Sequence, residues 1–371
     1  MKKKLLGILL ATTLCVGVLA GCGGSGASDD AAADTSAATE ETTEAATEET
    51  TEAADTTAAS GDLADKKVGV CIYQFSDNFM TLFRNELENY LVEQGFAKEN
   101  ITIVDGANDQ ATQTGQIDNF IADGVDVLII NPVNSSSAAT ITDKVVAANI
   151  PLVYINREPD ADEEQRWEDN GWNVCYVGCD ARQSGTYQGE IIADLGIDAI
   201  DFNGNGKVDY IMIEGDPENV DAEYRTEFSV KAVQDAGLEV NCLDDQVGMW
   251  DQAKGQELVA NDLSQYGNDV EVVFCNNDAM ALGALQAIQA AGRTVGTDIY
   301  LVGVDALTEV VQDVIDGTIT GTVFNDHFAQ SHSAADAAIN FVNGSANDYY
   351  IGCDYQKVTK DNAEEILSMI Q

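Results

Sequence analysis

The sequence has few basic side chains and few of the residues that enzymes most often use. Lys and Arg number 18 against 64 Asp and Glu, which gives a formal charge of −46 at pH 7. Such a surface repels nucleic acids and anionic lipid headgroups, so neither is an expected partner. Only two histidines occur, and the serine-hydrolase, P-loop and zinc-protease motifs are missing. We therefore expect that the protein is not an enzyme. The alternative is a glycosidase, for which Asp77 and Asp221 could form the acid pair if they flanked one bond.

The first 21 residues have the organisation of an export signal. Three lysines at positions 2–4 precede an apolar stretch, residues 5–19, and Leu-Ala-Gly-Cys then ends at Cys22. This order predicts cleavage before Cys22 and resembles the bacterial lipobox, whose cysteine carries a diacylglycerol. An ordinary signal peptide or a membrane anchor is the alternative, although an anchor needs about 20 apolar residues. We therefore expect removal of residues 1–21 and a lipid on Cys22 that anchors the protein to the outer face of the cell membrane.

Residues 22–61 are expected to form a lipidated cysteine followed by a disordered acidic tether. From Gly23 to Ser60 the chain has no Lys, Arg, Pro or aromatic residue and no aliphatic residue larger than Ala. Such a segment cannot bury enough apolar surface to offset the loss of chain entropy on folding. The remaining residues, about 310, are enough for two domains.

Six cysteines remain beyond Cys22, and we expect all of them to be free thiols. Cys71 and Cys275 lie in apolar runs typical of buried strands, where a thiol acts as a small hydrophobic side chain. Cys175 and Cys179 are four residues apart, which in one strand separates them by about 13 Å, too far for a disulfide. The other two are Cys242 and Cys353.

Short β-branched segments alternate with helical patterns from residue 67 onward. Val68–Tyr73 and Val270–Cys275 are examples of predicted strands, and Met80–Glu93 and Ala279–Ala291 of predicted helices. This alternation is typical of βαβ units, and strands that are apolar on both faces indicate sheets covered on both sides. We predict an α/β fold of two Rossmann-like lobes with parallel sheets, in which ligands bind beyond the carboxyl ends of the strands.

We assign residues 62–153 plus 327–352 to a first lobe and residues 154–326 plus 353–371 to a second, joined by a hinge of several strands. Residues 160–172 are acidic and contain two tryptophans. We expect them to form a surface loop near the cleft between the lobes.

Polar residues follow successive predicted strands, with two aromatic residues in nearby loops. Asp accepts hydrogen bonds from two hydroxyl groups, Asn both donates and accepts, and Arg donates, which together suit a polyol. The C–H faces of a sugar ring pack on aromatic rings. Each residue alone has another explanation as a helix cap, a loop contact or a core residue, so the prediction rests on their joint occurrence. The set is Asp77, Phe79, Asn131, Asp221, Arg225, Trp250, Asn277, Asp305 and Asn325.

Longer segments resemble a known family. VGVCIYQFSDNFM, EGDPENVDAEYRT, VEVVFCNNDAMALGALQAI and GTVFNDHFAQ are similar to the bacterial galactose/glucose-binding proteins, in one register from about residue 67 to the C-terminus. Those proteins are type I periplasmic receptors of sugar ABC transporters. The resemblance implies a monomer that binds a monosaccharide, D-glucose or D-galactose, closes about its hinge and delivers the sugar to an ABC permease.

The resemblance also implies roles for single residues. Hydrogen bonds to the sugar would come from Asp77 and Asn131 in the first lobe, and Phe79 and Trp250 would sandwich the ring. Asn219 stands where the family has a histidine, which leaves the preferred sugar open. The second lobe and the hinge would add hydrogen bonds from Asp221, Arg225, Asn277, Asp305 and Asn325.

A separate loop matches a calcium-binding pattern. Residues 201–209 fit positions 1, 3, 5, 6, 7 and 9 of an EF-hand loop, but Met212 occupies position 12, where a bidentate glutamate is needed. A self-contained EF-hand is therefore excluded, and a plain Asn-Gly turn is the alternative. The resemblance implies that Glu271 supplies the last carboxylate of a structural calcium site. The full set of expected ligands is Asp201, Asn203, Asn205, Lys207, Asp209 and Glu271.

Two other functions stay open at this point. The closed receptor could signal to a chemoreceptor or a sensor kinase instead of a permease, or its pocket could be retuned to another monosaccharide. A sugar-responsive repressor would carry a DNA-binding helix-turn-helix before the first strand. The acidic tether occupies that place, so this alternative is excluded.

Overall fold

A computed structural model describes residues 63–371. The predictions for the signal peptide, the lipidated Cys22 and the acidic tether lie outside the described residues. Within residues 63–371, no helix combines the length and the apolar character that crossing a membrane requires.

The first lobe contains a six-stranded parallel sheet in the order β11-β5-β4-β3-β1-β2. Four of these strands are buried along their whole length because helices cover both faces of the sheet. The strands are β1 (Val68–Ile72), β2 (Ile101–Asp105), β3 (Val127–Ile130), β4 (Leu152–Ile155), β5 (Val174–Cys179) and β11 (Tyr350–Cys353).

The second lobe contains a four-stranded parallel sheet in the order β7-β6-β8-β9. An antiparallel pair, β10 with β12, lies beside it and is linked to it by isolated bridges. The strands are β6 (Val208–Glu214), β7 (Val240–Val247), β8 (Val272–Cys275), β9 (Tyr300–Val302), β10 (Thr322–Phe324) and β12 (Gln356–Val358).

Helices pack on both faces of each sheet and bury the two cores of each lobe. In the first lobe, α1 and α11 cover one face and α2, α3 and α4 the other. In the second lobe, α8, α9, α10 and α12 lie opposite α5, α6 and α7. The helices are α1 (Asn78–Glu93), α2 (Gln110–Asp123), α3 (Ala138–Ala147), α4 (Ala161–Asn170), α5 (Ala181–Ala193), α6 (Ile197–Ile200), α7 (Val220–Asp235), α8 (Gln252–Tyr266), α9 (Asp278–Ala290), α10 (Thr308–Asp316), α11 (His327–Val342) and α12 (Ala363–Ile370).

The predicted lobe boundary after residue 153 is wrong. Residues 154–179 were assigned to the second lobe, but β5 pairs with β4 on one side and with β11 on the other, inside the first sheet. The chain therefore crosses to the second lobe after Cys179, returns after β10, and crosses again after Cys353. These three crossings form the predicted multi-strand hinge.

We predicted that residues 160–172 form a surface loop, but they contain helix α4. Trp167 in this helix is fully buried. Its ring stacks on Tyr154 of β4, with centroids 5.3 Å apart and planes inclined by 7°. Its indole N–H donates to Glu163 Oε1 at 2.6 Å. The second tryptophan, Trp172, is half-buried and lies under the guanidinium group of Arg166.

All six cysteines of residues 63–371 are thiols, as predicted. Cys71, Cys175, Cys179 and Cys275 are buried in the sheets, and Cys242 is exposed.

Candidate ligand-binding cleft

A cleft lies where the carboxyl ends of the two parallel sheets face each other. Residues of both lobes and of the hinge line it, as expected for open α/β sheets, whose ligands bind at these ends. The lining residues are Tyr73, Asp77, Phe79, Met80, Asn156, Arg157, Asn219, Asp221, Arg225, Trp250, Asn277, Asp305 and Asn325.

Nine of the ten residues that we predicted to contact a sugar line this cleft, and Asn131 does not. Asn131 is completely buried behind the cleft wall. Its side-chain oxygen accepts from the backbone N–H of Tyr73 at 3.2 Å, and its amide donates to Ile155 O and to Asn156 Oδ1 at 3.2 and 3.1 Å. Asn131 therefore holds β1 and β4 together and positions Asn156, which itself lines the cleft.

Sequence reasoning missed Tyr73, Met80, Asn156 and Arg157. Asn156 follows directly after β4. It is therefore a polar residue at the end of a strand, which is the pattern by which the other cleft residues were predicted. Arg157 is buried, and its guanidinium lies 3.8 Å from the centre of the Tyr73 ring. It also forms an ion pair of 3.1 Å with Asp216 of the second lobe.

Arg225 is the centre of a buried polar network in the second lobe. Its guanidinium lies 3.7 Å from an oxygen of Asp221 and 3.9 Å from one of Asp305. It donates to Asn276 O at 2.8 Å and to the Tyr355 hydroxyl at 3.2 Å. Asp221 Oδ1 and Arg225 Nε are buried without a hydrogen-bond partner among the described residues. Buried polar atoms are normally hydrogen-bonded, so a ligand hydroxyl or a water that donates to Asp221 and accepts from Arg225 would satisfy both atoms.

Burial controls the protonation of the cleft carboxylates. It raises the pKa of Asp221 from 3.8 to about 6, although the positive charges of Arg225 and Arg157 oppose this shift. Burial also raises the pKa of Asp305 well above its usual value, again against the effect of Arg225. A ligand hydroxyl that donates to a carboxylate favours the ionised form, so binding and deprotonation are coupled here.

Three cleft side chains are positioned by a left-handed backbone. The φ angles of Asn156, Trp250 and Asp305 are 63°, 63° and 126°. Such conformations are uncommon outside glycine and cost about 1–3 kcal/mol each, and they cluster at functional sites. The surrounding fold therefore holds these three side chains toward the cleft at the expense of local backbone energy.

The helix-cap explanation and the ligand role coexist at several positions. Asp77, Asn219 and Asn277 each accept a hydrogen bond from a backbone N–H in the first turn of the helix that follows. All three nevertheless line the cleft. Capping fixes the rotamer of each side chain and leaves its remaining polar atoms for a ligand.

The two lobes are in contact across the cleft. Asn134 Nδ2 of the first lobe donates to Glu218 Oε2 of the second at 2.5 Å, and Ser135 N donates to Glu218 O at 3.3 Å. With the pair between Arg157 and Asp216, these contacts describe a closed arrangement of the lobes.

The predicted calcium loop lies in the second lobe, far along the chain from its last expected ligand, Glu271. Both carboxylate oxygens of Glu271 accept backbone N–H groups, from Phe202, Asn203 and Asp209. Asp201 accepts three more from the loop backbone. Residues 201–209 are thus folded around Glu271, which is 69 residues from Phe202 in sequence.

The chemistry of this loop fits a hard divalent cation. Asp209 and Glu271 are buried, at 2% and 0% exposure, and neither forms an ion pair within residues 63–371. Hydrogen bonds offset part of the cost of burial, because Glu271 accepts backbone N–H groups and Asp209 accepts the side-chain amides of Asn203, Asn205 and Asn241 at 2.6 Å each. The other available donors are carboxylate, amide and carbonyl oxygens, which Ca²⁺ prefers. The described residues contain no cluster of three or more His, Cys, Asp or Glu side chains placed to hold a metal, so amide and carbonyl oxygens would have to complete the ligand set.

Comparison with known proteins relates the chain to several binding proteins. The family described as periplasmic binding protein domain matches residues 68–346. The D-galactose/methyl-galactoside binding periplasmic protein MglB of Haemophilus influenzae is 34% identical over 323 residues, which are 84% of this chain and 95% of that protein. The ribose import binding protein RbsB of Bacillus subtilis is 28% identical over 285 residues, 77% of this chain and 84% of its own length.

A solved structure has the same fold. The solute binding protein of an ABC transporter from Bacillus halodurans, solved with bound myo-inositol, superposes with a TM-score of 0.70 at 28% identity. The match covers 83% of this chain and 99% of that one. The two-lobed α/β architecture is thus that of type I periplasmic binding proteins.

Proposed function

Because this chain belongs to the family of periplasmic binding protein domains, we propose that it is an extracytoplasmic receptor for a monosaccharide, a hexose such as D-galactose or D-glucose. It delivers the sugar to the permease of an ABC importer. The observation that supports this most is the cleft, where acidic, amide and guanidinium groups converge from both lobes beside two aromatic rings. The similarity to MglB favours galactose or glucose, and the similarity to RbsB keeps a pentose as the alternative.

The cleft matches the surface of a pyranose. The buried ring of Phe79 and the half-buried ring of Trp250 offer apolar faces for its C–H groups. Asp221 and Asp305 accept from hydroxyls, and Arg225 donates to hydroxyl or ring oxygens. Asn219 replaces a histidine of the galactose/glucose-binding proteins with a shorter, uncharged group, so this position is where we expect the sugar preference to differ.

Hinge closure explains how the permease can distinguish the sugar-bound receptor from the empty one. The sugar touches Asp77 and Asn156 of the first lobe and Asp221 and Asp305 of the second only when the lobes are closed. Binding therefore shifts the population toward the closed form, which the permease recognises. A sensor that reads the same closed form is the alternative partner. Loss of sugar uptake on deletion of the permease alone would distinguish the importer from the sensor.

Calorimetric titration tests the proposal. The chain, stripped of bound ligand, is titrated with glucose, galactose, xylose, ribose, arabinose and myo-inositol. We expect one hexose to bind with a Kd of about 1 µM or tighter, about −8 kcal/mol, and the others more weakly. Tightest binding of a pentose or of the inositol would show a retuned pocket, and no heat with any of them would contradict the monosaccharide class.

The affinity should fall in mild acid. The pKa of Asp221 is about 6 without ligand because the group is buried. A protonated carboxyl accepts poorly from sugar hydroxyls, so below pH 6 a proton must be removed before the sugar binds. We expect the Kd to rise by up to about tenfold per pH unit between pH 6 and 5. Titrations from pH 8 to 5 measure this change, and an Asp221→Asn variant should bind weakly with a smaller pH dependence, to which Asp305 still contributes. An equal pH dependence in that variant would assign the effect to another group.

We also propose that Cys22 is lipidated and anchors the receptor to the outer face of the membrane. Metabolic labelling with a radioactive fatty acid should mark the wild-type chain but not a Cys22→Ala variant. Release of that variant into the medium is the accompanying expected result.

A structural calcium ion in the loop of residues 201–209 is part of this proposal. Asp201, Asn203, Asn205, Asp209 and Glu271 would hold it through side-chain oxygens, and Lys207 through its backbone carbonyl. The ion would neutralise the buried carboxylates and fix the loop.

Removal of calcium is expected to destabilise the protein. At a free concentration about 100-fold above its Kd the ion stabilises the fold by about 2.7 kcal/mol, which corresponds to about 5 °C in Tm. A chelator should therefore lower the Tm by this amount, and excess Ca²⁺ should restore it. The Glu271→Gln variant should unfold at the Tm that the wild type has in chelator, and chelator should not lower the Tm of this variant further. An unchanged melt of the wild type in chelator would contradict the calcium site.

A further inference from the structure

Two thiols lie side by side at the end of the first sheet. Cys179 is the last residue of β5 and Cys353 the last of β11, and the two are direct partners in the parallel pairing of these strands. Neighbouring strands are about 4.8 Å apart, which is within the Cα separations that disulfides span. Aligned residues of parallel strands point to the same face of the sheet. The pairing therefore places the two residues within the range of Cα separations that a disulfide spans.

The side chains also meet. Cys179 and Cys353 pack against the same apolar cluster of the second lobe. The neighbouring Cys179 thiol lowers the pKa of Cys353, and burial raises the pKa of Cys179. Cys353 is partly exposed, whereas Cys179 has an exposure of 3%. The more acidic thiol is thus the accessible one.

Both residues occupy the hinge. The chain leaves the first lobe after Cys179 to enter α5, and leaves it again after Cys353 to enter β12. Two of the three crossings between the lobes consequently start at adjacent sulfur atoms. None of the other thiols in residues 63–371 lies at the start of a crossing.

We propose that Cys179 and Cys353 form a reversible disulfide that ties two hinge crossings together. The oxidant is a small or protein disulfide of the extracytoplasmic space, RSSR. The Cys353 thiolate attacks one sulfur of RSSR and releases RS⁻, which leaves a mixed disulfide. The Cys179 thiolate then attacks the Cys353 sulfur and displaces the second RS⁻, so two thiols are oxidised while one RSSR is reduced to two RSH.

The disulfide would constrain the hinge crossings and would leave the side chains that contact the ligand unchanged. It closes a loop of the chain that contains the whole second lobe except its last segment, and so restricts the unfolded state. It also prevents the two crossings from separating when the lobes move. The proposal is independent of which sugar the cleft binds.

Peptide mapping without a reducing agent tests whether Cys179 and Cys353 form a disulfide. The full chain is equilibrated with oxidised glutathione, remaining thiols are alkylated, and a digest is analysed by mass spectrometry. We expect a linked peptide pair containing Cys179 and Cys353, and a Tm that falls by about 5 °C when a reductant is added. Cys242→Ser, which removes an exposed thiol elsewhere, should keep both results. Cys353→Ser should lose both.

Two outcomes would overturn the proposal. Complete alkylation of Cys179 and Cys353 after oxidation would show that the bond does not form. A reductant-sensitive Tm in Cys353→Ser equal to that of the wild type would show that another thiol is responsible.

Discussion

Replacing Asp221 by Ala is expected to weaken sugar binding by several kcal/mol, about a hundredfold to a thousandfold in Kd. Asp221 is 3% exposed, and one of its oxygens is 3.7 Å from the guanidinium of Arg225 while the other has no partner among the described residues. The substitution leaves Arg225 less neutralised in a buried site and removes the acceptor of the sugar hydroxyls. Calorimetric titration with the preferred sugar measures the loss.

A matched control lies on the same helix. Glu223 is exposed and two residues from Asp221, in the first turn of α7. Glu223→Ala also removes one negative charge from this turn, yet should bind as the wild type does. Circular dichroism verifies that both variants are folded. Wild-type affinity in a folded Asp221→Ala protein would show that the cleft is not the sugar site.

Replacing Trp167 by Ala is expected to lower the free energy of unfolding by about 3–5 kcal/mol. The ring is fully buried between α4 and β4, where it stacks on Tyr154. Its removal leaves a large cavity and takes the indole donor away from Glu163, whose side chain is itself buried. Urea unfolding measures the change.

Trp172 provides a matched control, because the same Trp→Ala substitution can be made there. It follows α4 by two residues but is half-buried at the surface, 5.0 Å from the Arg166 guanidinium. Trp172→Ala should cost about 1 kcal/mol or less, in line with an exposed cation–π contact. Neither residue lines the cleft, so both variants should keep the wild-type sugar affinity once folded. Equal destabilisation by the two substitutions would contradict the core position of Trp167.

Local patterns were sufficient for much of the fold and the cleft. Alternating apolar strands and amphipathic helices predict parallel sheets because that arrangement covers both faces of each strand. Polar residues after strands predict cleft positions because the carboxyl ends of parallel strands share one edge. Asp77, Asp221 and Asp305 were found in this way. Strand β7 is largely exposed and polar, so it lacks the apolar run on which strand prediction depends.

Other features depend on which strands become neighbours. Asn131 and Asn156 both follow buried strands, and local sequence does not separate them. In the fold, the side-chain amide of Asn131 is taken up by hydrogen bonds to the residues that follow β1 and end β4, whereas Asn156 has a left-handed backbone and lines the cleft.

The amino-acid sequence was enough to predict the fold class, the alternation of strands and helices and nine of the residues that line the cleft. The lobe boundary depends on long-range pairing, because β5 is held in the first sheet by a strand more than 170 residues away. The left-handed backbone at Asn156, Trp250 and Asp305 and the meeting of Cys179 with Cys353 also depend on the tertiary structure. The physical reason is the same in each case: these features arise from pairing and packing between distant segments, which local propensity does not encode.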